Sequence, residues 1–159
     1  MIRVGLGYDI HRLEEGLPLI LGGVSIPHSK GCVAHSDGDA LSHTITDAIL
    51  GAAALGNIGQ HFPDTDPKYQ DSNSLDLLRE SHAMLQEAGY SIMNIDSNII
   101  AQQPKLNLHI DAIRASLAGT LEMDVDRISV KAKTNESVGP EGREEAISTQ
   151  AIVLIQSNA

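Results

Sequence analysis

Tryptophan is absent from this chain, and phenylalanine and cysteine each occur once, as Phe62 and Cys32. Without a set of aromatic faces there is no platform on which nucleic-acid bases would stack. A single thiol cannot close an internal disulfide, and it suits a reducing compartment. No run of about 18 apolar residues occurs, so no membrane-spanning helix is expected. Met1 leads directly into Ile2-Arg3-Val4-Gly5, without the apolar core of a signal peptide. These features predict a cytoplasmic protein, or one of the plastid stroma if a transit peptide has been removed. Basic residues are also scarce: 11 Lys and Arg stand against 21 Asp and Glu, a formal net charge of −10. Such a surface repels nucleic-acid phosphates and anionic membranes. An anionic substrate would need the local field reversed, and a bound divalent cation is the usual means.

What is present predicts one globular domain over residues 1–159. A chain of this size buries roughly 68–70% of its unfolded surface without a staple. From Ile2 onward the residues alternate. Ile2, Val4, Leu6, Tyr8 and Ile10 share one face, and Arg3, Gly5, Gly7, Asp9 and His11 the other. This is the pattern of a half-buried strand. Pro18–Leu21 and Val24–Ile26 read as short strands around Gly22-Gly23. A helix is expected over Asp37–Leu55, with Leu41, Ile45, Ala48, Ala52 and Leu55 as its core stripe and Gly56 as its stop. Asn57–Asn73 reads as a long loop, a class that often carries function. A second helix follows over Ser74–Ala88, then a strand over Ser91–Ala101. A third helix starts near Asn107, with Ile110, Ile113, Leu117 and Leu121 at helical spacing. A strand over Ile128–Thr134, a polar loop over Asn135–Arg143 and a last strand over Glu145–Gln156 complete the chain. The predicted fold is α+β: a two-layer sandwich of a mixed β-sheet with three main helices on one face.

Candidate chemistry collects in a few short stretches. Asp9 and His11 stand two apart on the first strand and so point the same way. They can converge on one ion, although an isolated pair of this kind is more often an ordinary polar face. Gly5 and Gly7 on the same face leave room for something to approach closely. In Ala34-His35-Ser36-Asp37-Gly38-Asp39, Ser36 and Asp39 have the spacing of a capping box, and Asp37 and Asp39 suit the positive end of the helix dipole. That reading leaves His43 without a role. Its neighbours at four residues either side are Asp39 and Asp47, which makes it either a surface histidine or a ligand with a carboxylate behind it. Asp9, His11 and one helix histidine would form a His2Asp set, three protein ligands with one position open, as in catalytic zinc sites. Lys131-Ala132-Lys133-Thr134-Asn135-Glu136 ends a strand with cations, a hydroxyl and a carboxylate. It is either a solvated face or a place for a diphosphate and its magnesium.

Six ordered stretches resemble one family, the 2-C-methyl-D-erythritol 2,4-cyclodiphosphate synthases of the non-mevalonate route to isoprenoids. They are Gly7–His11, Ala34–Asp39 with His43, Thr46–Ala52, Phe62–Asp66, Ala101-Gln102 with Pro104-Lys105, and Lys131-Ala132 with Thr134 and Glu136. The resemblance implies a lyase. The 2-phosphate of a cytidine diphosphate ester of methylerythritol attacks the β-phosphorus, CMP leaves and a cyclic diphosphate forms. It implies Asp9, His11 and His43 as zinc ligands, and Glu136 as ligand of a second cation, magnesium or manganese. His35 and Thr134 would steady the transition state. Ser36, Asn57, Gly59, Phe62, Pro63, Asp64, Thr65 and Asp66 would surround the methylerythritol part. Ala101, Gln102, Gln103, Pro104, Lys105, Leu106, Asn107, Ala132 and Lys133 would form the cytidine pocket. Asn135, Pro140 and Arg143 complete the substrate-contacting set. The family is a homotrimer with each active site between subunits and a cavity on the trimer axis that takes isoprenoid diphosphates.

Two positions depart from the family pattern. Asn57 stands where an aspartate is common, so a neutral amide replaces a charge. Pro140 stands where many members carry phenylalanine, which removes the apolar half of the axial cavity and leaves Arg143. His28, His61, His82 and His109 match no metal position and read as surface or structural. A zinc phosphohydrolase would share the His2Asp set without a cytidine pocket, and a non-catalytic trimer binding prenyl diphosphates would need only the axis.

Overall fold

The computed structural model describes residues 1–158; Ala159, the last residue of the expected domain, lies outside them. In chain order the elements are β1 (Ile2–Glu15), β2 (Leu19–Leu21), β3 (Val24–Ile26), β4 (Lys30–Cys32), α1 (Ala40–Ala52), α2 (Ile58–His61), α3 (Ser74–Glu87), β5 (Tyr90–Ile100), α4 (Ile110–Leu121), β6 (Ile128–Lys133), α5 (Gly139–Gly142) and β7 (Ala146–Ser157). Five strands form one sheet in the order β4-β1-β7-β5-β6, and β2 and β3 form a separate ribbon. Neighbours in the large sheet are antiparallel except β5 and β6, which run parallel. A parallel pair needs a crossover, and α4 supplies it.

α1 packs on β1 and β7, α3 on β5, and α4 on β6, with α3 touching both other helices. The fold is therefore mixed α+β, with its long helices against one face of a mixed sheet. Leu41, Ile45 and Ile49 of α1 are fully buried, as are Ile113 and Leu117 of α4. Each such side chain contributes about 1.5–3 kcal/mol.

β1 turns its sparser face to the helices. Ile2, Val4, Leu6, Tyr8 and Ile10 stand open on the other side of the sheet, with Leu6 71% exposed. Gly5 and Gly7 face α1, where an added Cβ would overlap the carbonyl oxygens of Ala48 and Thr44. The missing side chains let the helix backbone lie directly on the strand. Across the sheet, buried Thr149 of β7 holds α1 at the same depth. Its hydroxyl donates to Ala40 O at 3.0 Å and accepts from Thr44 Oγ1 at 2.6 Å.

The start of α1 differs from the expected capping box. Gly38 has φ +77°, outside the helical region, so the helix cannot begin at Asp37. Asp39 is the N-cap, and its side chain accepts from Ser42 N. The same fully buried carboxylate accepts from Gly22 N at 2.8 Å, Gly23 N at 2.7 Å and Ser42 Oγ at 2.7 Å. Four donors compensate its desolvation, and they tie the β2–β3 turn to the helix.

Both expected loops contain local structure. Residues 57–73 hold α2 and a 3-10 turn at Pro67–Tyr69, and residues 135–143 hold α5 with Pro140 in its first turn. The third helix begins as a 3-10 turn at Asn107–His109 before α4. β4 is three residues long, too short to show an alternation.

Candidate metal centre

The close approach of α1 to β1 assembles the metal centre. Asp9 and His11 extend from the covered face of β1, and His43 meets them from α1. Asp9 Oδ2 lies 2.8 Å from His11 Nε2 and 3.2 Å from His43 Nδ1, and the two nitrogens are 3.4 Å apart. Among the described residues this is the one grouping of three His, Cys, Asp or Glu ligand atoms within 4.8 Å of one another. His11 Nδ1 lies 3.0 Å from Val33 O. A carbonyl only accepts, so Nδ1 carries the proton and Nε2 keeps its lone pair for the centre. Two imidazole nitrogens and one carboxylate oxygen fit a divalent transition ion with an open position.

The electrostatics favour a cation. Burial would raise the pKa of Asp9, but in the metal-free protein hydrogen bonds and charge from His11 and His43, when these rings are protonated, outweigh it and hold the carboxyl at about 2. For His11, burial works to lower the pKa, and the Asp9 carboxylate raises it above its ordinary value. A carboxylate ionised at every working pH thus sits between two rings, and only a positive species balances it there.

The carboxylates expected to flank His43 do other work. Asp39 is spent on the α1 cap, and Asp47 Oδ1 accepts from Ile58 N at 2.8 Å, anchoring α2. Instead, His43 Nε2 faces Ser74 Oγ at 2.8 Å and Ser36 Oγ at 3.1 Å. Ser74 carries no signal in its own neighbourhood of sequence, because it lies 31 residues away.

A cavity of about 440 Å3 opens beside the centre, within the range of small-molecule sites. It brings together His35, Ser36, Gly59, Phe62 and Asp64 from the expected set with Asp9, His11 and His43. Tyr8, Asp47, Ile58, Tyr69, Ser72 and Leu77 line it as well and were not expected. Tyr69 packs edge-on against Phe62 with centroids 5.5 Å apart. The scarcity of aromatics in the chain was the available signal for that pair. A second hollow of about 140 Å3 is lined by Ala101, Pro104, Lys105, Leu106, Asn107, Ala132, Lys133 and Thr134. The two hollows share no residue.

The remaining expected site residues line neither hollow. Asn57 accepts from Gln60 N and completes the capping box of α2. Pro63 and Thr65 are part of the turn before Asp66, which caps the Pro67–Tyr69 turn. Gln102 Oε1 accepts from Ser137 N at 3.2 Å, and Gln103 precedes Pro104 through a cis peptide bond. Asn135 Nδ2 donates to Glu141 Oε2 at 3.4 Å. Glu136 is exposed and meets only the Thr134 hydroxyl, at 3.4 Å. Pro140 starts α5, and Arg143 pairs with Glu145 at 2.9 Å. His61 Nε2 donates to Leu55 O at 2.7 Å, a structural role as expected.

Fold and centre together define an α+β protein that presents an Asp-His-His metal site at the edge of a small-molecule cavity. The chain belongs to the YgbB family, whose model matches residues 2–156. It is 57% identical to a 2-C-methyl-D-erythritol 2,4-cyclodiphosphate synthase of Chromobacterium violaceum, over 98% of each chain. Among solved structures it resembles the bifunctional IspDF from Campylobacter jejuni, with TM-score 0.95 and 44% identity over 99% of this chain and 42% of that one. It also matches a 2C-methyl-D-erythritol-2,4-cyclodiphosphate synthase in a CDP-bound form, with TM-score 0.90 and 40% identity over 97% of this chain and all of that one.

Proposed function

We propose that the chain catalyses the reaction for which its relatives are named. It would cyclise 4-diphosphocytidyl-2-C-methyl-D-erythritol 2-phosphate to 2-C-methyl-D-erythritol 2,4-cyclodiphosphate with release of CMP, in the cytoplasm, as one domain. The observation that carries this is the convergence of Asp9, His11 and His43 at the mouth of the larger cavity. These residues would hold zinc, and Glu136 with the substrate's own phosphates would hold magnesium or manganese. Such cations, when bound, supply the positive charge and Lewis acidity that phosphate oxygens require.

The rest falls to the chain. The nucleophile is a phosphate already ionised at neutral pH, so no general base is needed and positioning dominates. The cavity around Phe62 and Asp64 would receive the methylerythritol part, with His35 and Ser36 beside the reacting phosphates. The second hollow, between the Pro104–Asn107 turn and Ala132-Lys133, would take the cytidine, with Thr134 at its phosphate end. CDP in the related structure supports a cytidine site of this kind. The metal side and the cytidine side share no residue, so one chain leaves the site divided. A homotrimer packed through the open sheet face would set the metal side of one subunit against the cytidine side of the next. An isoprenoid diphosphate on that trimer's axis would have to draw Arg143 away from Glu145.

The test is direct incubation with the cytidine diphosphate substrate, zinc and magnesium. The cyclic diphosphate and CMP are expected in equal amounts. A linear phosphate without the ring would sink this reading in favour of a phosphohydrolase.

A further inference from the structure

The two nitrogens of His43 face different environments. Nδ1 points to Asp9 and His11. Nε2 lies 2.8 Å from the hydroxyl of Ser74, the first residue of α3, and Ser74 is fully buried. That hydroxyl bonds to Asp37 Oδ1. Asp37 is otherwise occupied: Oδ2 accepts from Ser74 N at 2.9 Å, and Oδ1 accepts from Asp39 N at 3.1 Å. A carboxylate only accepts, so the single proton of Ser74 Oγ goes to Asp37. Toward His43, Ser74 can then only accept. Ser36 Oγ at 3.1 Å is compatible with the same role.

We infer that Ser74 and Asp37 are positioning residues that orient the His43 ligand. Held by the Asp37 carboxylate, the hydroxyl accepts from Nε2–H and so turns Nδ1 toward the metal centre. The same residues join the cavity to the centre. Asp71 N donates to His35 O at 3.0 Å and Asp37 N to Ser72 O at 3.3 Å. The end of the 57–73 segment, which carries Phe62 and Asp64, is thus stapled to the strip that orients the ligand. Outer partners of ligating histidines set tautomer and basicity, and losing one typically costs about 10–100-fold in metal affinity. The inference rests on the reading of Asp9, His11 and His43 as metal ligands.

Substitution of Asp37 by asparagine separates relay from packing. An amide has one acceptor oxygen, which cannot serve Ser74 N on one side and Asp39 N with Ser74 Oγ on the other. One of these donors loses its partner, so the hydroxyl is no longer held in one orientation toward His43 Nε2. The decisive measurement is proton and nitrogen-15 NMR of His43 in the zinc-loaded protein. Wild type is expected to show Nε2–H, with its proton shifted downfield by the bond to the hydroxyl. In Asp37→Asn and in Ser74→Ala that proton should move upfield. Zinc and cobalt dissociation constants, from chelator competition, should rise about 10–100-fold in both variants. Wild type with the proton on Nδ1 overturns the inference without any variant. So do folded variants that keep both the wild-type proton shift and the wild-type metal affinity. A protein with the expected signals that forms no cyclic product would instead defeat the proposed function and leave this inference standing.

Discussion

Gly7 of β1 lies so close to Thr44 of α1 that a Cβ on it would overlap the Thr44 carbonyl oxygen. Thr44 is the residue after His43, and Gly7 precedes Asp9 by two positions on the same face of its strand. The contact therefore sets the distance between the two halves of the metal centre. Gly7→Ala must push α1 outward, and overpacking of this kind costs about 1–3 kcal/mol. We expect a lower unfolding midpoint and weaker metal binding together. Gly51→Ala is the control, because nothing lies within 4 Å of its added methyl. It should stabilise the helix by up to about 1 kcal/mol. Urea titration of both variants checks the contrast, and equal midpoints would contradict the packing argument.

Metal binding should be linked to pH through His11. The Asp9 carboxyl, raised by burial but held down at about 2 by its two histidines, contributes stability above its ordinary value of 3.8 and loses it as pH falls toward 2. His11 behaves oppositely. Its folded pKa is raised above 6.5, burial being outweighed by Asp9, so its imidazolium stabilises the metal-free protein below 6.5 and that contribution fades as pH rises through the folded pKa. A cation competes with the proton at Nε2. Affinity should therefore rise with pH until the folded pKa of His11 is passed and then level off, with close to one proton released per ion at about pH 6.5 and below. Calorimetry in buffers of different ionisation enthalpy measures this, and binding without proton release would remove His11 as a ligand. His43→Ala should abolish zinc binding and activity while leaving the helical circular dichroism intact.

Cys32 should be inert in the native protein. Burial pushes its thiol pKa to about 12, with the nearby Asp39 and Asp9 carboxylates adding to the effect. Thiolate, not thiol, is the nucleophile. Iodoacetamide at about pH 8 should leave the folded chain unlabelled and label it fully in denaturant, as intact mass will show.

The open apolar face of β1 is the natural test of assembly. Leu6 is 71% exposed and Ile152 of β7 is 51% exposed, on paired residues of neighbouring strands. If subunits pack there, Leu6→Asp should yield monomers by light scattering and abolish turnover, while each chain still binds zinc. A variant whose oligomeric state is unchanged would move the interface elsewhere.

Much of the layout was readable from residue spacing. The alternation over residues 2–12, the α1 stripe and the glycine stop after α3 correspond to local rules that the fold obeys, whereas α1 ends at Ala52, short of the expected Leu55, with Ala54 rather than Gly56 as the first left-handed residue. Asp9 and His11 were also legible, since two residues on one strand must share a face. The orientation of β1 was not. Alternation sorts residues into two faces and says nothing about which face is covered. The helix start was misplaced for a related reason: Ser36, Asp37 and Asp39 can each cap, and Gly38 together with the β2–β3 turn chose Asp39. Ser74 was invisible because its role depends on a neighbour 31 positions away.

The sequence by itself determined the residue types on offer: a chain short of cations, with imidazoles and carboxylates spaced along a strand and a helix, and glycines on the same face of that strand. Only the tertiary structure decided which of these meet. The backbone contact of Gly5 and Gly7 with α1 brings His43 within 3.2 Å of Asp9, and the Asp37–Ser74 link determines which nitrogen it presents. Both are long-range packing outcomes, and local periodicity carries no information about them.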